Sequence, residues 1–305
     1  MVVGKLSRHF FIALSKNKLL TKGARRWGLR LGASQVVAGT TIESVVQTVR
    51  TLNEQGLVCT VDHLGEFVST KEEARAAAEV CIQTLEALDD AGVDSQLSVK
   101  LTQLGLDIDQ ELCLHHMKRI VRAAEAKRNF VQIDMEDYSR REATLEILAG
   151  LRESHENVGT AIQAYLHCAA DDLRMLEGVP LRLVKGAYKE PKSVAFQQKS
   201  EIDDNFLRII KQHLDSGSYT AIASHDHRII KKVKDYCREQ RIPRSQYEFQ
   251  MLYGFRPGLQ REIAAQGYRM RVYVPYGEDW YGYFMRRLAE RPQNVAFALR
   301  GFFKK

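Results

Sequence analysis

The chain has 305 residues, 45 Lys and Arg against 38 Asp and Glu, and a formal charge of +7, with a pI near 9.1. Its bases are spread without an aromatic-interleaved stripe, so no nucleic-acid partner is inferred, and an anionic small substrate or an acidic membrane surface fits the charge as well. Five cysteines without C-x-x-C spacing argue against a disulfide framework or structural zinc and for a reducing cytoplasm, and no apolar run reaches the ~18 residues of a membrane-crossing helix.

Residues 1–45 read as a helical arm of two or three short helices, and residues 46–305 as a catalytic (βα)8 barrel. Within the arm, Lys16, Lys18, Lys22, Arg25, Arg26 and Arg30 interleave with Phe11, Leu14, Leu19, Leu20 and Trp27. Such a helix either packs its apolar stripe on the domain or lies on anionic lipid at the inner face of the membrane.

From residue 57 onward, β-branched or apolar runs alternate with longer helical patterns, as repeated βα units do. Strands are predicted over 57–61, 97–101, 130–134, 160–164, 181–185, 219–223, 247–250 and 270–274. Thr70-Lys-Glu-Glu73 reads as a capping box opening a helix to about Leu88, and Ser139-Arg-Arg-Glu142 as another to about Leu151. Further helices are expected near 108–127, 169–177, 197–215, 226–239, 257–265 and 280–290. Eight strands and eight helices in alternation suit a closed barrel, and neither phosphate-loop signature of an open doubly wound sheet occurs.

In such a barrel the chemistry gathers at the C-terminal ends of the strands. That selects Lys100 at the end of strand 2, Asp134 at the end of strand 3, Gln163 near the end of strand 4, and Arg182 and Lys185 on strand 5. Ser224 and His225 follow strand 6, Leu252 follows strand 7, and Tyr273 lies on strand 8. An unpaired charge within a strand covered on both faces is disfavoured, so Arg182 and Lys185 require partners. Arg182 pairing with Asp134 to fill the barrel mouth and Arg182 serving a site both remain open at this level.

On the helix over 280–290, Tyr283 lies one turn before Arg286 and Arg287, and Glu290 one turn after them. An adjacent arginine pair ordinarily faces solvent. On a helix following strand 8, whose start faces the mouth, two forked donors can instead grip a carboxylate from two directions, with Tyr283 as a flat wall.

Taken in order, LSVK (97–100), QID (132–134), IQAY (162–165), RLVKGAY (182–188), SHD (224–226), YEFQMLYG (247–254), YVPYG (273–277) and YFMRRLAERP (283–292) resemble the monofunctional bacterial proline dehydrogenases. The resemblance spans about residues 57–292 and implies a distorted (βα)8 barrel holding non-covalent FAD. It implies oxidation of L-proline to 1-pyrroline-5-carboxylate, electrons passing to a membrane quinone, and the next enzyme, pyrroline-5-carboxylate dehydrogenase, as a separate chain. Carried onto this sequence, Arg286 and Arg287 clamp the proline carboxylate, Lys100 is a further substrate contact, and Glu290 pairs with the arginines. Leu252, Tyr273 and Tyr283 enclose the ring, while Asp134 holds Tyr273 or Lys100 and, with Arg182, is expected to be catalytic. Gln163 and Arg182 would bond the flavin ring and Met135 lie near it. Lys185, Gly186 and Ala187 would form the turn approaching the cofactor, with Ser224 and His225 on its pyrophosphate and adenosine side. Relatives often carry Trp where this chain has Lys189, which departs from the pattern at the adenine.

Two other barrel chemistries fit parts of the pattern. Lys100 or Lys185 is placed to act as the Schiff-base nucleophile of a class I lyase or aldolase. Asp62, His63, Asp134, His167, His225 and His227 offer ligand types for a metal-dependent hydrolase.

Overall fold

The structure is a computed structural model that describes residues 33–65 and 68–290, with side chains of the last helix described as far as Arg287. Eight parallel strands close into a barrel in chain order. They are β1 (Val58–His63), β2 (Ser95–Val99), β3 (Val131–Ile133), β4 (Val158–Gln163), β5 (Leu181–Val184), β6 (Thr220–Ala223), β7 (Tyr247–Leu252) and β8 (Met270–Tyr276). Val61 of β1 stands beside Leu97 of β2 on one side and Val274 of β8 on the other, which closes the ring. All eight fall on the runs read from the sequence.

The alternation of side chains explains why these runs form a barrel. On β7, Tyr247, Phe249 and Met251 join the main apolar cluster, as do Met270, Val272 and Val274 on β8. The residues between them, Glu248, Gln250, Arg271 and Tyr273, point the other way. Arg182 of β5 bonds Ser98 of β2 and Gln250 of β7, strands that are not its neighbours, so these contacts cross the interior. The layer between strands and helices is therefore apolar, while the inside of the barrel is polar and charged.

Nine α-helices lie among the described residues: α1 (Ile42–Asn53), α2 (Lys71–Asp90), α3 (Gln110–Ala126), α4 (Arg141–Arg152), α5 (Ala169–Met175), α6 (Lys199–Asp215), α7 (His227–Glu239), α8 (Pro257–Ala265) and α9 (Trp280–Glu290). The box at α2 forms as expected: Glu73 N–H donates to Thr70 Oγ1 at 3.1 Å, and Thr70 N–H to Glu73 Oε2 at 3.2 Å. The box expected at Ser139 does not form. Its hydroxyl donates to Asp137, a 3-10 turn covers Tyr138–Arg140, and Arg140 stands at the cap position with no side-chain cap. Arg140 bonds Asp107 and Arg141 bonds Asp172, and these ion pairs pin the start of α4 instead.

The barrel is distorted at its closing seam. Helix α1 packs on β1, β8 and α2, filling the flank that a helix after β8 would ordinarily cover. Helix α9 packs on the short turn Ala33–Gln35 and shares an apolar cluster with Val36, Val37 and Leu64, against which Phe255 is packed. Leu64 follows β1 and Phe255 follows β7 at their C-terminal ends, so α9 lies over the mouth. Gly254 makes this seat: at φ +78 it passes so close to the Gln35 carbonyl that an added Cβ would stand 1.8 Å from its oxygen. The basic amphipathic stretch of residues 10–30 lies outside the described residues, and α1 runs through the expected arm boundary at residue 45.

Candidate active site

At the mouth, four side chains, from Ser98 on β2, Lys100 just after it, Arg182 on β5 and Tyr273 on β8, meet on Asp134. Its Oδ2 accepts from Lys100 Nζ at 3.0 Å and from Tyr273 OH at 2.6 Å. Its Oδ1 accepts from Ser98 Oγ at 2.8 Å and from Arg182 Nη1. Lys100 also donates to Asp62 Oδ2 at 2.8 Å and to Tyr273 OH at 3.1 Å. Tyr273 is stacked beside both cations, its ring centroid 5.8 Å from Lys100 Nζ and 5.3 Å from Arg182 Cζ. The structure thus brings together Lys100, Asp134, Arg182 and Tyr273, and Asp134 holds Tyr273 and Lys100 at once.

The two carboxylates differ because their partners differ. Burial raises both, but Lys100, Arg182 and Tyr273 outweigh it at Asp134 and hold that carboxyl at about 2. Asp62 is fully enclosed, shares Lys100 with Asp134, and feels the charge of Asp134. Burial wins there and pushes it to about 6. Burial and the two neighbouring carboxylates push the Tyr273 phenol well above its ordinary value, so it stays protonated. Lys100, whose N–H groups are given to three oxygens, is poorly placed to act as a Schiff-base nucleophile.

Beside this cluster stand two buried polar atoms without a partner among the described residues, Gln163 Oε1 and Arg182 Nη2. They lie on the adjacent strands β4 and β5. Gln163 is held by its amide nitrogen, which donates to the Glu136 carbonyl at 3.1 Å and the Met135 carbonyl at 3.5 Å. Glu136 is itself tied to the loop after β2, accepting from Thr102 N–H at 3.0 Å and Thr102 Oγ1 at 2.7 Å. One buried acceptor and one buried donor are thereby left for a ligand, since groups so enclosed are ordinarily satisfied.

The turn after β5 is held by its own contacts. Gly186 adopts φ +101, and an added Cβ would stand 2.2 Å from the Tyr165 ring, so glycine is demanded here by the protein itself. Lys185 pairs with Asp203 and lies 3.8 Å from Asp226. Ala187 and Lys189 are exposed. The next two strand ends are linked: Leu252 N–H donates to His225 Nε2 at 3.0 Å, and Asp226 N–H to Ser224 Oγ at 3.1 Å. His225 also packs against Phe255, its ring tilted by 57° with centroids 5.7 Å apart, under the α9 cluster.

On α9, Tyr283 is buried and the Arg287 guanidinium lies 5.2 Å from its ring centroid, while Arg286 is half-buried one residue before. The expected aromatic and guanidinium face therefore exists and lies over the mouth. The Glu290 side chain falls outside the described residues. Of the metal-ligand candidates, His63 is engaged with Gln103, His167 Nε2 meets the Lys192 carbonyl, and His225 accepts from Leu252. No group of His, Cys, Asp and Glu is gathered for a metal among the described residues.

Asp62, Ser98, Glu136, Glu248, Gln250 and Arg271 escaped the sequence reading as members of one network; Asp62 entered only as a metal-ligand type. For Glu248, Gln250 and Arg271 the signal is present in the period-two pattern. A charged or amide residue between two apolar neighbours on a barrel strand faces inward, where it must find a partner.

The family described as proline dehydrogenase matches residues 45–300. Proline dehydrogenase 1 of Bacillus subtilis subsp. natto is 53% identical over 300 residues, 98% of this chain and 99% of that protein. The proline dehydrogenase of Deinococcus radiodurans is 39% identical over 312 residues, 99% of this chain and 100% of that one. Among solved structures, proline utilization A from Bdellovibrio bacteriovorus inactivated by N-propargylglycine is similar with a TM-score of 0.80 and 28% identity, over 89% of this chain and 34% of the longer one.

Proposed function

The chain belongs to the proline dehydrogenase family, and from that premise we propose that its barrel mouth oxidises L-proline to 1-pyrroline-5-carboxylate using FAD and passes the electrons to a quinone. The observation that carries the cofactor is the pair of unpartnered buried atoms, Arg182 Nη2 and Gln163 Oε1. The polar edge of a flavin ring alternates acceptors with an N–H donor, which a guanidinium and an amide oxygen complement. When bound, the flavin supplies the acceptor for the hydride that leaves proline C5. The chain's own groups have three tasks: to fix the ring, to exclude water and to keep charge balanced as the amine loses its proton.

Arg286 and Arg287 grip the proline carboxylate from α9, and anchoring one end of so small a molecule orients the other. Lys100 joins them by exchanging one of its three oxygen partners for the substrate. Tyr273, Tyr283 and Leu252 enclose the ring. Asp134, held at about 2, is a poor proton acceptor near neutral pH. Its task is to hold Lys100, Tyr273 and Arg182 in one arrangement, and solvent takes the amine proton. Met135, Lys185, Gly186, Ala187, Ser224 and His225 line the remaining length of the cofactor site. No described helix is long and apolar enough to cross a membrane. In this reading the quinone is met at the membrane surface, from the cytoplasmic side, and the product passes to pyrroline-5-carboxylate dehydrogenase on a separate chain.

The test is a visible spectrum of the purified protein taken without oxygen, before and after L-proline. A flavin band that bleaches on addition is expected. A colourless protein, or a band indifferent to proline, would end this reading.

A further inference from the structure

Gln250 stands between two charged side chains. Its Oε1 accepts from Arg182 Nε at 2.7 Å, and its Nε2 donates to Glu248 Oε1 at 2.6 Å. Glu248 is buried at the floor of the barrel, where Arg271 Nε and Nη2 donate to it at 2.7 and 3.1 Å and Tyr219 OH at 2.8 Å. Burial pushes its carboxyl up, but Arg271 outweighs this and keeps it below the ordinary value. An ionised carboxylate only accepts. The Gln250 amide therefore has one permitted orientation, because a flipped amide would set N–H against N–H at Arg182 and carbonyl against carboxylate at Glu248.

The Arg182 guanidinium is consequently pinned at two points. Nε is held from the floor through Gln250, and Nη1 from the mouth by Asp134 and Ser98. Two anchors on one rigid plane fix where its third nitrogen points, and that nitrogen is the one without a partner. The floor end is equally defined: Glu248 and Gln250 line a cavity of about 190 Å³ with Gln96, Gln132 and Leu181.

We propose that Glu248 and Gln250 are positioning residues that set the plane of the Arg182 guanidinium from the barrel floor, so that Nη2 is presented to the flavin ring. This rests on Arg182 being a flavin contact. Neither residue touches the substrate, so their effect is felt in turnover and in the flavin, and hardly in proline binding.

The holoenzyme carrying Gln250→Met tests it, because that change removes the acceptor for Arg182 Nε and leaves the Glu248–Arg271 fork intact. A fall in kcat of about tenfold to a hundredfold is expected, with the proline KM within about twofold of wild type. The visible band and midpoint potential of the bound flavin should move with it. Glu248→Gln, which frees the Gln250 amide to flip, should give a smaller fall. The double exchange Glu248→Gln with Gln250→Glu keeps an acceptor at Arg182 and a donor beneath it, and should restore kcat toward wild type. A folded, flavin-loaded Gln250→Met enzyme with wild-type kcat and spectrum would overturn the proposal. So would a Gln250→Met protein that does not fold, because it would assign the pair to stability alone. A wild-type enzyme purified without flavin would instead sink the underlying reading.

Discussion

At the barrel floor Arg271 donates through Nε, Nη1 and Nη2 to Glu248 and the Cys59 carbonyl, whereas at the mouth Arg182 donates through Nε and Nη1 and leaves Nη2 buried without a partner. Both are buried arginines on barrel strands, and each is paired with a carboxylate. Glu248 is answered by Arg271, Tyr219 and Gln250, and Arg269 adds a contact at 3.3 Å. The mouth in contrast keeps Asp62 Oδ1, Gln163 Oε1 and Arg182 Nη2 unmatched. A fold has no use for unmatched buried groups, which cost free energy. Among the described residues three such atoms gather at the C-terminal end, beneath α9, against Asn157 Oδ1 just before β4 at the other, and that grouping marks the mouth as the end built for a ligand.

If this contrast is right, equivalent changes at the two ends have different consequences. Arg271→Met leaves a carboxylate buried with weaker partners, and a stability loss of about 3–5 kcal/mol is expected in urea denaturation. A loss below about 1 kcal/mol would erase the distinction, because it would show the floor pair to be as dispensable for folding as a site residue. Arg182→Met should do the reverse. Asp134 keeps Lys100, Ser98 and Tyr273, so stability should stay within about 1 kcal/mol of wild type. Turnover should fall by about 10²–10³, as when one preorganised donor is removed from a reacting group.

How much of this was readable in the chain follows the same division. Strands were legible because apolar alternation is a local signal, and Thr70 announced α2 because its partner Glu73 is three residues away. Ser139 showed the same spacing and misled: Asp107 and Asp172, distant in sequence, capture Arg140 and Arg141 and set the start of α4. The seat of α9 was not legible, since it depends on Gly254 meeting Gln35, more than two hundred residues apart. At the site, Lys100, Asp134, Arg182 and Tyr273 were found by the strand-end rule. Glu248 and Arg271 stand near strand starts, where that rule does not look, and Gln250, at the end of its predicted strand, carries no charge to single it out. Asp62 lies one residue beyond the predicted strand end at 61, whereas β1 continues to His63 and carries the Asp62 carboxylate to Lys100.

The α9 pair offers the next sharpest test of the mouth. Arg286→Ala and Arg287→Ala should each raise the proline KM by about tenfold to a hundredfold, the worth of a charge-assisted bond, while flavin stays bound. Arg287→Lys should fall between, because it retains charge but loses the stack on Tyr283. An unchanged KM in both alanine variants would remove the clamp from the mechanism.

The smallest effect expected is also the one that isolates a single unmatched group. Asp62 has its folded value raised to about 6, against about 3.9 for a free aspartate. Between those limits the folded chain holds a proton at Asp62 that the unfolded chain has released, so this residue makes stability fall as pH rises from about 4 to about 6. Asp134 works in the opposite sense and at lower pH: its value of about 2 contributes stability above the free aspartate range that is lost as pH falls. Asp62→Asn removes the titrating proton, and its urea midpoint should decline less steeply than that of wild type across the window. The difference in slope is at most about 1.4 kcal/mol per pH unit. Parallel curves would mean that Asp62 is as well matched as Glu248. In that case the mouth would hold its charges in the manner of the floor, and the distinction would rest on Gln163 and Arg182 alone.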